Sequence, residues 1–175
     1  MSNLVVLYGP PETGKSSFLE QLVHYYHTLG LEVHGLISPA ILYENIKTGI
    51  RAKDISTGET RFLAAKRPVP LTDTSKLGYV FNEQTVAWGN EVLSSSVPTE
   101  VLIIDEIGPL ELKLNKGWAN ALDCIRGRSY QLAIVVLRES LHDEIRNKWP
   151  VAEWLLFQQG MKVNRFDRYF HETRT

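Results

Sequence analysis

The stretch LYGPPETGKSS, residues 7–17, constrains the fold more than any other part of the chain. From Gly9 to Gly14, Lys15 and Ser16 it follows the spacing G-x-x-x-x-G-K-[ST], the pattern of a phosphate-binding loop. Such a loop works only between the end of a buried strand and the start of a helix, and both are legible here. NLVVLYG is a short β-prone apolar run that stops at glycine, as a buried parallel strand should. Beyond the loop, Phe18, Leu22, Tyr26 and Leu29 recur at helical spacing, Leu19 and Val23 widen the stripe, and Gly30 supplies a stop.

The remaining chain reads as alternating β and α segments with one change of texture. LEVHGLIS is the next strand. Between Pro39 and Arg67 short β-prone runs are broken at Thr48-Gly49 and Thr57-Gly58, which predicts antiparallel hairpins near residues 40–66 rather than βα units. KRPVPLTDTSKLG reads as a loop, and GYVFNEQTVAWGNEVLSSS as a short strand followed by a helix capped by Asn82. TEVLIIDEIG and YQLAIVVL are buried strands, separated by a helix carrying Trp118, Ala121, Leu122 and Ile125. RESLHDEIRNKW reads as a helix, VAEWLLF fits either strand or helix, and MKVNRF reads as a last short strand. The sum is an α/β fold, a mainly parallel sheet flanked by helices.

At 175 residues the chain is expected to form a single nucleotide-binding domain spanning residues 1–175. A formal net charge of −1 gives no reason to expect nucleic acid as the main partner. MSNLVVLYG lacks a basic leader, and no apolar run approaches the ~18 residues of a membrane span, so the expected location is the cytoplasm, with no membrane partner. Cys124 is the single cysteine and reads as a buried helix-face residue. His24 and His27, three apart on a helix without an acidic or cysteine companion, read as surface residues rather than metal ligands.

A phosphate tail needs many donors in little space. The backbone N–H groups of the loop supply them, assisted by the positive end of the following helix. The expected nucleotide-binding set is Gly9, Pro10, Pro11, Glu12, Thr13, Gly14, Lys15, Ser16 and Ser17. Lys15 should reach the β- and γ-phosphates, and the Ser16 hydroxyl should meet a bridging Mg²⁺. VLIIDE supplies the second half: Asp105 ends a buried strand and is expected to organise the metal through water. Glu106, next to it, is placed to orient or deprotonate an attacking water. Arg138 ends the strand LAIVVL and reads either as a stabiliser of γ-phosphate charge or as a solvated arginine. Glu111 is a candidate support for the segment carrying Glu106. The tetrapeptide N-K-x-D that reads guanine is missing, since NKGW and NKWP lack the final aspartate. A nucleoside triphosphate is therefore the expected ligand, without a legible base preference or protein partner. The same residues also suit a small-molecule or nucleotide kinase, or a nucleotide-dependent switch that hydrolyses little.

DEIGPLEL, following such a loop, resembles the DEIG-x-x-E-L signature of the small stand-alone nucleoside-triphosphatases, the cancer-related nucleoside-triphosphatase and its thermophilic relatives. GLIS followed by KTGIRAKDISTGE, LGYVFNEQT and LHDEIRN are similar to further segments of that family. The resemblance implies a RecA-like fold, magnesium-dependent hydrolysis of NTP to NDP and phosphate, slow turnover and broad base tolerance. It also implies a strand at VAEWLLF. The chain departs from the family pattern in three places. Glu12 stands where glycine is usual, SPAILYEN replaces an acidic and arginine pair, and Pro109 and Leu110 replace lysine and methionine.

Overall fold

The computed structural model describes residues 2–67 and 78–170. In chain order, β1 (Asn3–Gly9) leads through the glycine loop into α1 (Lys15–Thr28) and β2 (Val33–Ile37). Then come β3 (Ala40–Tyr43), β4 (Ile46–Asp54), β5 (Thr60–Lys66) and β6 (Tyr79–Phe81). After these, α2 (Glu83–Ser95), β7 (Thr99–Ile107), α3 (Pro109–Leu114), α4 (Ala119–Gly127) and β8 (Tyr130–Arg138) follow. A 3₁₀ turn (Glu139–Leu141), α5 (His142–Arg146), β9 (Ala152–Leu156) and a 3₁₀ helix (Val163–Tyr169) complete the described chain.

The nine strands among the described residues join one sheet in the order β6-β5-β4-β2-β7-β8-β1-β9, with β3 added on β4. The pairs β2–β7, β7–β8, β8–β1 and β1–β9 are parallel. From β4 outward every pairing is antiparallel, the hairpin extension that the glycine turns predict. The strands alternate in what they bury. Val5, Leu7, Ile103 and Ile134 face α1, while Val6, Leu102, Ile104 and Val135 join the cluster built with α2 and α4. Both faces are covered, which is why the central strands read as continuous apolar runs.

Two features of this sheet place the site. β8 lies between the strand feeding the glycine loop and the strand ending in Asp105-Glu106. In register, Gly9 lies beside Arg138 and Ile107 beside Leu137, so loop, arginine and carboxylates meet along the carboxyl edge of the sheet.

Several local expectations are met and others are corrected. Asn82 caps α2, its side chain accepting the Thr85 N–H at 3.1 Å. Residues 152–156 are a strand, as the resemblance implies. Residues 163–169 form a 3₁₀ helix, not a strand, because Val163 and Phe166 three positions apart turn Phe166 into the core, 6.3 Å from the Phe18 ring. Leu29 does not continue the buried stripe of α1: the helix ends at Thr28, and Leu29 is 46% exposed. Most of the loop expected at 66–78 falls on residues outside those described. Cys124 is buried, and His24 and His27 are exposed. No helix among the described residues is long and apolar enough to cross a membrane.

Candidate active site

Gly14 adopts φ 94 at the N-terminus of α1, a left-handed conformation that favours glycine, and its carbonyl accepts the Phe18 N–H at 3.0 Å. The turn aims the first amides of α1 into the cradle, the arrangement that binds anions at helix starts. Glu12 also lies at positive φ, 58°, with its side chain exposed, and its backbone carries the strain that a glycine would avoid. Lys15 is buried and donates from Nζ to the Gly9 carbonyl at 3.0 Å and to the Pro10 carbonyl. Burial lowers its pKa, and the negative charges of Glu106, Asp105 and Glu139 oppose that shift. Thr13 ties the loop to itself, its hydroxyl donating to the Pro10 carbonyl at 3.0 Å.

Asp105 lies across from this loop and is 3% exposed. Its Oδ2 accepts the Ser16 hydroxyl at 2.6 Å and the Ser38 backbone N–H at 3.0 Å. Burial pushes its carboxyl up to about 6, against the lowering effect of those two hydrogen bonds. The donor set is a hydroxyl and a carboxylate, hard oxygens that suit Mg²⁺. Among the described residues no group of three or more His, Cys, Asp or Glu side chains is placed to hold a metal ion.

The next residue points elsewhere. The register of β7 against β8 shifts between Ile104 and Ile107, so Asp105 and Glu106 occupy a bulge, with Glu106 at φ 56. Bulges beside active sites re-aim side chains, and this one turns adjacent carboxylates in different directions. Asp105 turns inward to Ser16, while Glu106 stays 42% exposed and accepts Arg138 Nε at 2.9 Å and Nη2 at 2.8 Å on one oxygen. Arg138, itself half exposed, is thus a hydrogen-bond partner of Glu106.

Glu111 is the residue for which sequence reasoning had least support. It is 7% exposed, one oxygen accepting the Gly108 N–H at 2.8 Å and the other the Trp118 N–H at 2.9 Å. Burial raises its pKa, and the backbone hydrogen bonds act against that. Gly117 makes room for it: a Cβ there would stand 2.2 Å from Glu111 Oε1, and the backbone has φ 61. Glu111 thus ties Gly108, two residues beyond Glu106 and just before α3, to Trp118, just before α4. The familiar signal for such a cap is a Ser or Thr three residues before the acid, and here that position is Gly108.

These groups line one cavity of about 580 Å³, within the range that holds whole small ligands. Gly9, Glu12, Lys15, Ser16, Asp105, Glu106 and Arg138 face it, as do Pro11, Ser38 and Lys47. Pro10, Thr13, Gly14 and Ser17 belong to the same loop and helix start without lining that cavity.

A profile of the NTPase family (NTPase_1) matches residues 4–158. Nucleoside-triphosphatase THEP1 of Ignicoccus hospitalis is 30% identical over 137 residues, which cover 78% of this chain and 75% of the relative. The solution structure of a human cancer-related nucleoside triphosphatase superposes with a TM-score of 0.68 at 20% identity, over 99% of this chain and 100% of that one. The crystal structure of THEP1 from the hyperthermophile Aquifex aeolicus gives a TM-score of 0.58 at 19% identity, over 97% and 96%. A match spanning the glycine loop, the carboxylate strand and β9 means that the chain belongs to the NTPase_1 family of stand-alone P-loop nucleoside-triphosphatases.

Proposed function

We propose that the chain, acting as one domain over residues 1–175 in the cytoplasm, hydrolyses nucleoside triphosphates to diphosphate and phosphate with Mg²⁺, slowly and with broad base tolerance. The observation that carries this reading is the bulge at Asp105-Glu106, which offers one carboxylate to the Ser16 side of the loop and leaves the next facing the cavity.

In this reading the loop amides and Lys15 bind the β- and γ-phosphates, Lys15 exchanging the Gly9 and Pro10 carbonyls for phosphate oxygens. Ser16 and Asp105 would hold the metal ion, which would neutralise phosphate charge when bound. Glu106 orients a water against the γ-phosphorus and takes its proton. Arg138 positions Glu106 through its two N–H donors and brings positive charge beside the transferring group. Slow turnover and broad base tolerance follow from the family resemblance, and no guanine-reading tetrapeptide stands against them.

The test is phosphate release from ATP, GTP, CTP and UTP with Mg²⁺, set against a Lys15→Ala control. Release from several bases, lost in the control, is the expected result. Release no higher than the control for every base would remove the proposal.

A further inference from the structure

The cavity has two unlike halves. One is the polar cradle already described. The other is walled by Tyr79 and Phe81 of β6, Val86 of α2, Ile50 and Leu63 of the hairpin extension, and Trp118 before α4. A triphosphate tail gains nothing from apolar walls, because its charge is satisfied by amides, lysine and metal. The position of this half matters as well. Leu63 and Trp118 belong to the core cluster on the face of α2 and α4, and Ile50, Tyr79, Phe81 and Val86 pack against that cluster. α1, whose first turn carries Lys15, Ser16 and Ser17, packs on the opposite face of the sheet. In a phosphate-binding loop the lysine and the metal-binding serine mark the β- and γ-phosphates. Glu106 lines the same cavity as both sets of residues, and an apolar half on the face opposite α1 is read as lying beyond the γ-phosphate, away from the nucleoside end.

We propose that the apolar arm is an acceptor site, which takes a small flat ring compound carrying an alcohol hydroxyl and presents that hydroxyl to the γ-phosphate. This rests on the reading of the glycine loop as a nucleoside-triphosphate cradle. The ring lies among Tyr79, Phe81 and Trp118, whose faces and edges suit a planar partner. Lys47, 5.6 Å from the centre of the Tyr79 ring, adds a cation at the edge of the arm. The chemistry replaces water by the alcohol. The hydroxyl oxygen forms a bond to the γ-phosphorus, and the bond from that phosphorus to the β,γ-bridging oxygen breaks. The nucleoside diphosphate leaves with the electron pair, and Glu106 accepts the hydroxyl proton. With no acceptor in the arm, water attacks and the reaction is hydrolysis.

The experiment uses the full chain, Mg²⁺ and ATP labelled at the γ-phosphate, with benzyl alcohol, 3-hydroxymethylpyridine or adenosine as probe acceptor and 3-methylpyridine as the hydroxyl-free control. Saturation-transfer NMR reads ring binding to the protein whether or not turnover occurs. The expected result is ring binding and label transferred to a hydroxyl-bearing probe. The ratio of transfer to hydrolysis should fall about tenfold in Val86→Phe on α2 and in Ile50→Phe on β4, both of which line the arm, as a 1.4 kcal/mol clash would produce. Circular dichroism and melting temperature separate this from misfolding. Rings that neither bind nor take label would overturn the proposal. So would a loss of ATP affinity in both variants as large as the loss of transfer, since the arm would then hold the nucleotide's own base. Phosphate release without any probe tests the cradle reading separately, so the two failures are told apart.

Discussion

Replacing Glu111 by Gln tests the anchor beneath the segment that carries Glu106. In the native chain each carboxylate oxygen accepts a different backbone N–H, from Gly108 at 2.8 Å and Trp118 at 2.9 Å, on a side chain only 7% exposed. A carboxamide has one acceptor oxygen and one NH₂ group, so one of those N–H donors must face another donor. An unpaired buried donor costs roughly 1–3 kcal/mol. Removing a desolvated charge offsets part of that, since burial already raises the Glu111 pKa. The expected net loss is about 1–2 kcal/mol, equivalent to a fall in Tm of roughly 2–8 °C for a chain of this size. The pH dependence has a definite sign. A carboxyl whose folded pKa is raised contributes stability that is fully present below its ordinary 4.5 and is lost as pH rises through the folded value. The gap between wild type and Glu111→Gln should therefore be widest near pH 4 and narrow upward. Phosphate release should fall about tenfold or more, because a catalytic group displaced by about 1 Å can lose a hundredfold. Thermal melts across pH and a phosphate-release assay check both effects. Unchanged Tm and unchanged release, or a gap that widens with pH, would refute the reasoning.

Other consequences follow from the same geometry. Arg138→Ala should leave Tm within about 4 °C, because an exposed pair contributes about 0–1 kcal/mol, yet lower kcat about tenfold or more; melts and steady-state kinetics read both. With its metal-free carboxyl pushed up to about 6, Asp105 binds metal in competition with a proton, so the Mg²⁺ concentration needed for half-maximal phosphate release should rise as pH falls below that value. The same carboxyl contributes stability below its ordinary 3.8 that is lost as pH rises to about 6, so metal-free Asp105→Asn should gain up to about 3 kcal/mol on wild type at pH 8, measured by denaturant unfolding. Glu12→Gly relieves a left-handed non-glycine residue, worth roughly 1–2 kcal/mol, but loosens the unfolded chain by about 0.4–1 kcal/mol. Its Tm should therefore move little, while loss of the negative charge tightens ATP binding several-fold by calorimetry.

The parts of the fold legible in the sequence are those set by local pattern. Val5 to Leu7 and Val101 to Ile104 are apolar without interruption because both sheet faces are covered. The glycine loop is legible because its chemistry requires particular residues at adjacent positions. Residues 163–169 misled because a three-residue apolar spacing over a short segment suits a 3₁₀ turn as well as an extended run. α3 was not anticipated, since Pro109 after glycine reads as a turn although proline is at home in the first turn of a helix. The site divides in the same way. Lys15, Ser16, Asp105 and Glu106 could be named from spacing. The pairing of Arg138 with Glu106 spans 32 residues, and the Ser38 amide reaches Asp105 across 67. Both follow from strand order, which no local pattern encodes. The apolar arm likewise draws on β4, β5, β6, α2 and Trp118, which only the folded sheet brings together.

The central claim is that Glu106 prepares the attacking water while the glycine loop binds the nucleotide. The most direct measurement is phosphate release by Glu106→Gln with Mg²⁺ and ATP, with nucleotide affinity measured on the same sample. The account predicts affinity within a few-fold of wild type and release lowered about a hundredfold or more. Release by Glu106→Gln at the wild-type rate, with affinity intact, would contradict it.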